Sequence, residues 1–181
     1  MAMENKIAVR DGQTVLEIGY EEMALYHGRL HIGGVALAFK VLKMAFGILL
    51  PGEIPERQKI GFLSGLGENG RGVIDGVEMV TRARSRNRMV LDLEAVRDKP
   101  APEAPNGGRY YFEVEYDGRT VGLSLKEGLI SPEFTTLSRK AKAGTLGPEE
   151  DQRLCTLREH LADFILSKEP AELLIVSRRP A

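Results

Sequence analysis

Cysteine is nearly absent: Cys155 stands alone in 181 residues. No disulfide can close within the chain, and no cysteine-rich zinc site can form. An excess of either charge is missing too. The formal net charge is -1 and the pI about 6.3, so nothing global draws the chain to nucleic acid or to an anionic membrane. A membrane-length apolar run is also lacking. The longest, residues 35–50, contains Lys40 and Lys43 and falls short of the roughly 20 residues a span needs. The opening MAMENKIAVRDGQ has no apolar core of the secretory type, which makes the cytoplasm the expected compartment. There is no Gly-x-Ser-x-Gly elbow, no Walker A loop and no internal repeat.

What is present suits one core. A chain of 181 residues, 43% hydrophobic, is enough for one good domain and too little for two. Thr14 and Glu17 form a capping-box pattern ahead of a helix expected over 15–26. A bent segment, YHGRLHIGG (26–34), leads into a helix that is apolar nearly all round and that Pro51-Gly52 stops. Residues 59–64 read as a buried strand, 65–72 as a glycine-rich loop, 73–84 as a helix and 88–96 as an alternating strand. Residues 98–108 hold three prolines and two glycines and read as a surface loop. A hairpin turns on Asp117-Gly118. Ser131-Pro132 opens a helix that ends near Gly144, and Pro148 opens a last one that Pro170 ends, ahead of a strand at 173–176. Helices, a mixed block, a hairpin and more helices favour α+β, with a mixed or antiparallel sheet, over a doubly wound parallel sheet.

Three patterns carry chemistry. His27 and His31, four apart, can share a metal on one helical face. Zinc or another divalent transition metal suits neutral imidazoles. Two ligands are too few for a tight site, so carboxylates or a second subunit must help. The competing reading is that Gly28, Gly33 and Gly34 turn the chain and the histidines simply pack there. Gly65, Gly67 and Gly70 follow a strand and precede a helix, with Asp92 lying 22 residues after Gly70. That is most of a dinucleotide fingerprint. Against it stand Glu68, repulsive to phosphate, and the antiparallel hairpin that follows; tight packing also explains the glycines. Glu68 and Asp75 lie near a helix start, where the dipole favours carboxylates. If that loop folds toward His27 and His31, they become ligands or proton acceptors. Arg82, Arg84, Arg86 and Arg88 read as a solvated helix end, with an anion patch as the alternative and no aromatics interleaved for nucleic acid. Cys155 reads as half-buried packing and His160 as solvent-facing.

The order of these segments resembles the subunit-E family of tungsten/molybdenum formylmethanofuran dehydrogenase, the FmdE-like proteins. That family carries His-Gly-His-x-Cys-Pro-Gly between a short helix and a long apolar one. Here the segment is His27-Gly28-Arg29-Leu30-His31-Ile32-Gly33. The family's later acidic loop, with a Cys and, three residues on, an Asp that begins a helix, corresponds to Glu68-Asn69-Gly70-Arg71-Gly72-Val73-Ile74-Asp75. His27, Gly28, Gly33, Glu68 and Asp75 are kept. Arg29 replaces a His, His31 replaces the motif Cys, and Gly72 replaces the loop Cys. The resemblance covers residues 13–180 and marks a divergent member without the C-terminal zinc finger that some relatives carry.

The resemblance implies an α+β core, a homodimer, and a pocket near the His-Gly segment. It further implies an accessory place in metal-dependent one-carbon metabolism, within a larger oxidoreductase complex. In that pocket His27 and His31 would be metal ligands, and Glu68 and Asp75 further ligands or proton acceptors. Arg29 would hold an anionic group, and Gly28 and Asn69 would complete the lining. Two alternatives stand beside it: a non-catalytic interaction subunit with a decayed metal site, and a nucleotide-binding module using residues 65–70.

Overall fold

The structure, a computed structural model, describes residues 5–179. Residues 1–4 and 180–181, which the single-domain reading includes, lie outside the described residues.

The chain opens with a β-hairpin where a helix was expected. β1 (Lys6–Asp11) pairs antiparallel with β2 (Thr14–Gly19). Ile7 and Val9 point inward at alternate positions, the period of a half-buried strand. Gly12 takes the left-handed φ of +61° that the connection needs. Thr14 therefore faces Asp11, and Glu17 faces Ala8, so neither caps a helix. The helix begins later, as α1 (Tyr20–His27), where Glu22 Oε2 accepts from the Gly19 N–H at 2.8 Å. The capping pair, Gly19 and Glu22, lies five positions beyond Thr14 and Glu17.

Gly28, at φ +88°, ends α1, and α2 (Ile32–Leu49) follows. Taken from Ile32 the helix has 18 residues and, against the sequence expectation, is long and apolar enough for a membrane span, yet Val35, Ala36, Ala38, Val41, Leu42 and Ala45 are wholly enclosed by the rest of the fold. An apolar surface on all sides is what a helix at the centre of a core requires. Its buried charge, Lys40, donates from Nζ to the carbonyls of Leu166 (3.1 Å) and Lys168 (2.5 Å). Burial lowers the Lys40 pKa. The lysine thereby closes the C-terminal end of α5 (Pro148–Leu166).

A five-stranded sheet packs on this helix in the order β4-β3-β5-β6-β7. It comprises β3 (Ile60–Ser64), β4 (Met89–Val90), β5 (Tyr111–Tyr116), β6 (Arg119–Leu125) and β7 (Leu174–Arg178). β3 and β4 run parallel and the other pairs antiparallel, so the α+β assignment holds. The β5–β6 hairpin turns on Asp117 and Gly118, both at positive φ, as the dipeptide predicts. The strand expected over 88–96 shrinks to the two residues of β4. Asp92 accepts from the Glu94 N–H at 2.9 Å, a local bond that diverts the backbone into a 3-10 turn over Glu94–Val96. α3 (Arg71–Thr81) joins β3 to β4. α4 (Pro132–Ala143) is capped by Ser131 Oγ, which accepts from Phe134 N–H at 3.1 Å. Pro170 does not end α5; it opens the four-residue α6 (Pro170–Leu173) that feeds β7.

Helices α2 and α3 pack through glycine. A Cβ on Gly34 would lie 3.1 Å from the Gly72 Cα, and one on Gly72 would lie 2.2 Å from the His31 carbonyl oxygen. This close approach sets both helix N-termini side by side and so positions the site.

Candidate functional site

A cavity of about 430 Å³ opens where the N-terminal ends of α2 and α3 meet. α4, α5 and the loop around Pro105 complete its walls. Leu37, Leu66, Phe134, Leu161 and Ile165 give it an apolar body, while His31, Asn69, Arg71 and Arg158 stand on the polar side. The two sequence segments singled out above thus meet at one place: Gly33 and Gly34 line it from one, Gly70 and Gly72 from the other. Burial pushes the Tyr110 hydroxyl, also in the wall, up to about 12, so it is a neutral hydrogen-bonding group at neutral pH.

Beside the cavity lies a histidine–carboxylate pair. His27 Nδ1 is 2.7 Å from Asp75 Oδ2, with the imidazole 6% exposed and the carboxylate 40%. A carboxylate at Nδ1 holds the proton there and leaves the lone pair of the neutral ring at Nε2. Nε2 is buried and has no hydrogen-bond partner among the described residues. The His31 ring is next to it, with centroids 6.3 Å apart. Burial first, then the neighbouring Arg158, His27 and Arg71, drive the His31 pKa down to about 4. It is neutral at pH 7 and able to accept a hydrogen bond.

The remaining expected residues go elsewhere. Arg29 forms a two-pronged pair with Glu159 of α5, which ties the 28–31 turn to that helix. Glu68 turns outward to Arg84, at 3.1 and 3.3 Å. Gly28 supplies a turn and no wall. Of the seven residues expected to form a pocket, His31 and Asn69 line it, and His27 and Asp75 stand as a pair apart from its lining. Among the described residues no three His, Cys, Asp or Glu side chains come together as a metal-binding group. Two imidazole nitrogens, one of them orphaned, are what the chain offers a metal.

The glycine loop has a packing explanation at each of its three fingerprint positions. A Cβ on Gly65 would lie 2.5 Å from the Arg109 carbonyl oxygen, one on Gly67 2.8 Å from the Leu93 side chain, and one on Gly70 2.6 Å from Leu66. The parallel β3–α3–β4 unit does carry the topology of the fingerprint, but its glycines accommodate the chain's own atoms. The arginine run folds back on the protein: Arg82 pairs with Glu78, Arg84 with Glu68 and Arg88 with Glu115, while Arg86 donates to the Thr81 carbonyl. Cys155 is exposed and not half-buried as expected, because it faces away from the α5 stripe that buries Leu154, Ala162 and Ile165. Arg71, Arg158 and Lys142, all cavity-lining, escaped sequence reasoning. Arg71 had a local signal, following the glycine loop directly; the other two reach the site only through tertiary packing.

The chain matches no protein-family model and no curated protein in sequence comparison.

Proposed function

We propose that the chain is a small-ligand-binding protein of the FmdE-like type, cytoplasmic and homodimeric, serving metal-dependent one-carbon metabolism as an accessory protein. One observation carries the reading. The two segments on which the resemblance rests line one cavity, through His31, Gly33 and Gly34 on one side and Asn69, Gly70, Arg71 and Gly72 on the other. A volume of about 430 Å³ falls in the range of small-molecule sites, roughly 300–1,000 Å³. The dimer contact of this reading is the exposed apolar patch of Leu25, Tyr26 and Leu30. The test is thermal unfolding of the full chain with a panel of small acids, amines and neutral compounds, beside Ala141→Trp, which fills the cavity. Stabilisation by mass action that this variant loses supports the reading. A panel without effect at millimolar concentration removes it. Sedimentation that finds only monomer would remove the dimer separately.

A second reading, metal binding, has its own support in the orphaned Nε2 of His27. His27 and His31 would hold zinc or another divalent transition metal, with Asp75 fixing the His27 ring from behind. The metal would supply Lewis acidity to a ligand in the adjoining cavity. Elemental analysis of the tag-free protein beside His27→Ala/His31→Ala decides it: stoichiometric metal that vanishes in the variant supports the site, and none in either sinks it.

A further inference from the structure

The cavity wall has one sign of charge. Arg71 at the start of α3, Lys142 on α4 and Arg158 on α5 all line it, together with His31, and no aspartate or glutamate does. None of the three cations has an ion-pair partner among the described residues. Nearby cations are treated differently. Lys140 on α4 pairs with Glu150, Arg153 on α5 with Glu133, and Arg29 in the 28–31 turn with Glu159. The chain matches its cations with carboxylates around the cavity and leaves them unmatched inside it.

The backbone adds to the same sign. α2 and α3 bring their N-termini to the cavity, and neither has a capping side chain or an acidic residue in its first turn. By contrast α4 is capped by Ser131 and carries Glu133 in its first turn, and in α1, α5 and α6 a first-turn glutamate accepts from the backbone N–H just ahead of the helix. Free N–H groups at a helix start attract negative charge. The effect is felt within the wall: Arg158 and Arg71 lie close enough to His31 to help hold it neutral. Leu37, Phe134, Leu161 and Ile165 line the same cavity with apolar surface.

We propose that the cavity binds a small amphipathic organic anion, a carboxylate or a phosphate monoester, with its charged group on Arg71 and Arg158 and its apolar body against Leu37, Leu161 and Ile165. The inference rests on the ligand-binding reading and adds the ligand's class. Lys142, exposed at the rim, draws the anion in.

The test is calorimetric titration of the full chain with hexanoate, hexyl phosphate, neutral hexanol and inorganic phosphate at low salt. Parallel titrations use Arg71→Ala, Arg158→Ala and the cavity-filling Ala141→Trp. The expected result is binding of hexanoate or hexyl phosphate, whichever head group fits better binding more tightly. Hexanol should bind at least about tenfold more weakly, and each arginine variant should lose about tenfold in affinity for the anion. Both arginine variants lie at the surface of the cavity and keep the test decisive should Ala141→Trp fail to fold. Hexanol binding as tightly as the anions, and lost in Ala141→Trp, overturns the anion class while the ligand-binding reading stands. Anion affinity unchanged in both arginine variants also overturns it. Inorganic phosphate binding as well as hexyl phosphate overturns the amphipathic assignment. If no probe binds the folded protein at millimolar concentration, the anion assignment falls, while the ligand-binding reading is decided by the wider thermal-unfolding panel.

Discussion

The two ends of the α2–α3 pair are finished in opposite ways. At the C-terminal end, arginines supply the donors that helix carbonyls lack. Arg57, nearly buried, donates to the carbonyls of Val80 at 2.8 Å and Met79 at 2.5 Å. Arg119 does the same for Leu49 at 2.7 Å. At the N-terminal end neither helix has a capping side chain among the described residues, and Gly33, Gly34, Arg71 and Gly72 line the cavity there. A helix end lacks partners for about four backbone groups, and side chains supply some of them at the C-terminal end only. The contrast sets residues that hold the fold against those that the proposed ligand would meet.

Substitution tests that separation, most severely at Gly72. A Cβ there would press on the His31 carbonyl at 2.2 Å. Gly72→Ala should cost about 3 kcal/mol or more, since backbone cannot move aside as a flexible side chain would. Urea unfolding measures it, and a loss under about 1 kcal/mol would mean that the helix pair yields. Next comes Arg57→Met, which strands the buried Val80 carbonyl and the partly buried Met79 carbonyl and should cost about 2–3 kcal/mol with ligand affinity unchanged. A loss of affinity as large as the loss of stability would break the division between the ends. His31 gives a smaller, pH-dependent effect. Its pKa is held near 4 in the folded chain, against an ordinary 6.5. As pH falls through that window the unfolded chain takes up a proton that the folded one refuses. Stability therefore drops between pH 6.5 and about 4 and levels below it. His31→Gln should flatten that slope in unfolding curves taken across the range; an unchanged slope would assign it to other groups. The smallest change is Arg71→Ala, expected within about 0.5 kcal/mol of the parent stability despite its effect on anion binding.

Where local chemistry decides, the chain was readable. Asp117-Gly118, Ser131-Pro132, Gly144 and the apolar run of α2 all act through neighbours in sequence, and each does in the fold what its residues require. The errors came where two local patterns competed. Thr14 and Glu17 imitate a capping box, but the alternation from Lys6 and the turn at Gly12 prevail, because the hairpin buries Ile7, Val9 and Ile18. Asp92 likewise ended a strand that alternation alone would have extended to Val96. At the site, the meeting of His27 with Asp75 was foreseeable as a condition only, since His27 ends α1 while Asp75 sits in the second turn of α3, and Glu68 answers to Arg84, a partner 16 residues away. Lys142 and Arg158 could not be found at all from spacing. Their place at the cavity depends on how α4 and α5 dock, and no short-range signal encodes that.

Cys155 is exposed on α5 and precedes Arg158 by three residues, a spacing that puts two side chains on neighbouring positions of one helical face. With no other thiol in the chain, a maleimide dye attaches at one defined point near the cavity. The unaltered sequence thus carries its own reporter position, and a shift in dye emission would follow cavity filling in real time without an engineered label.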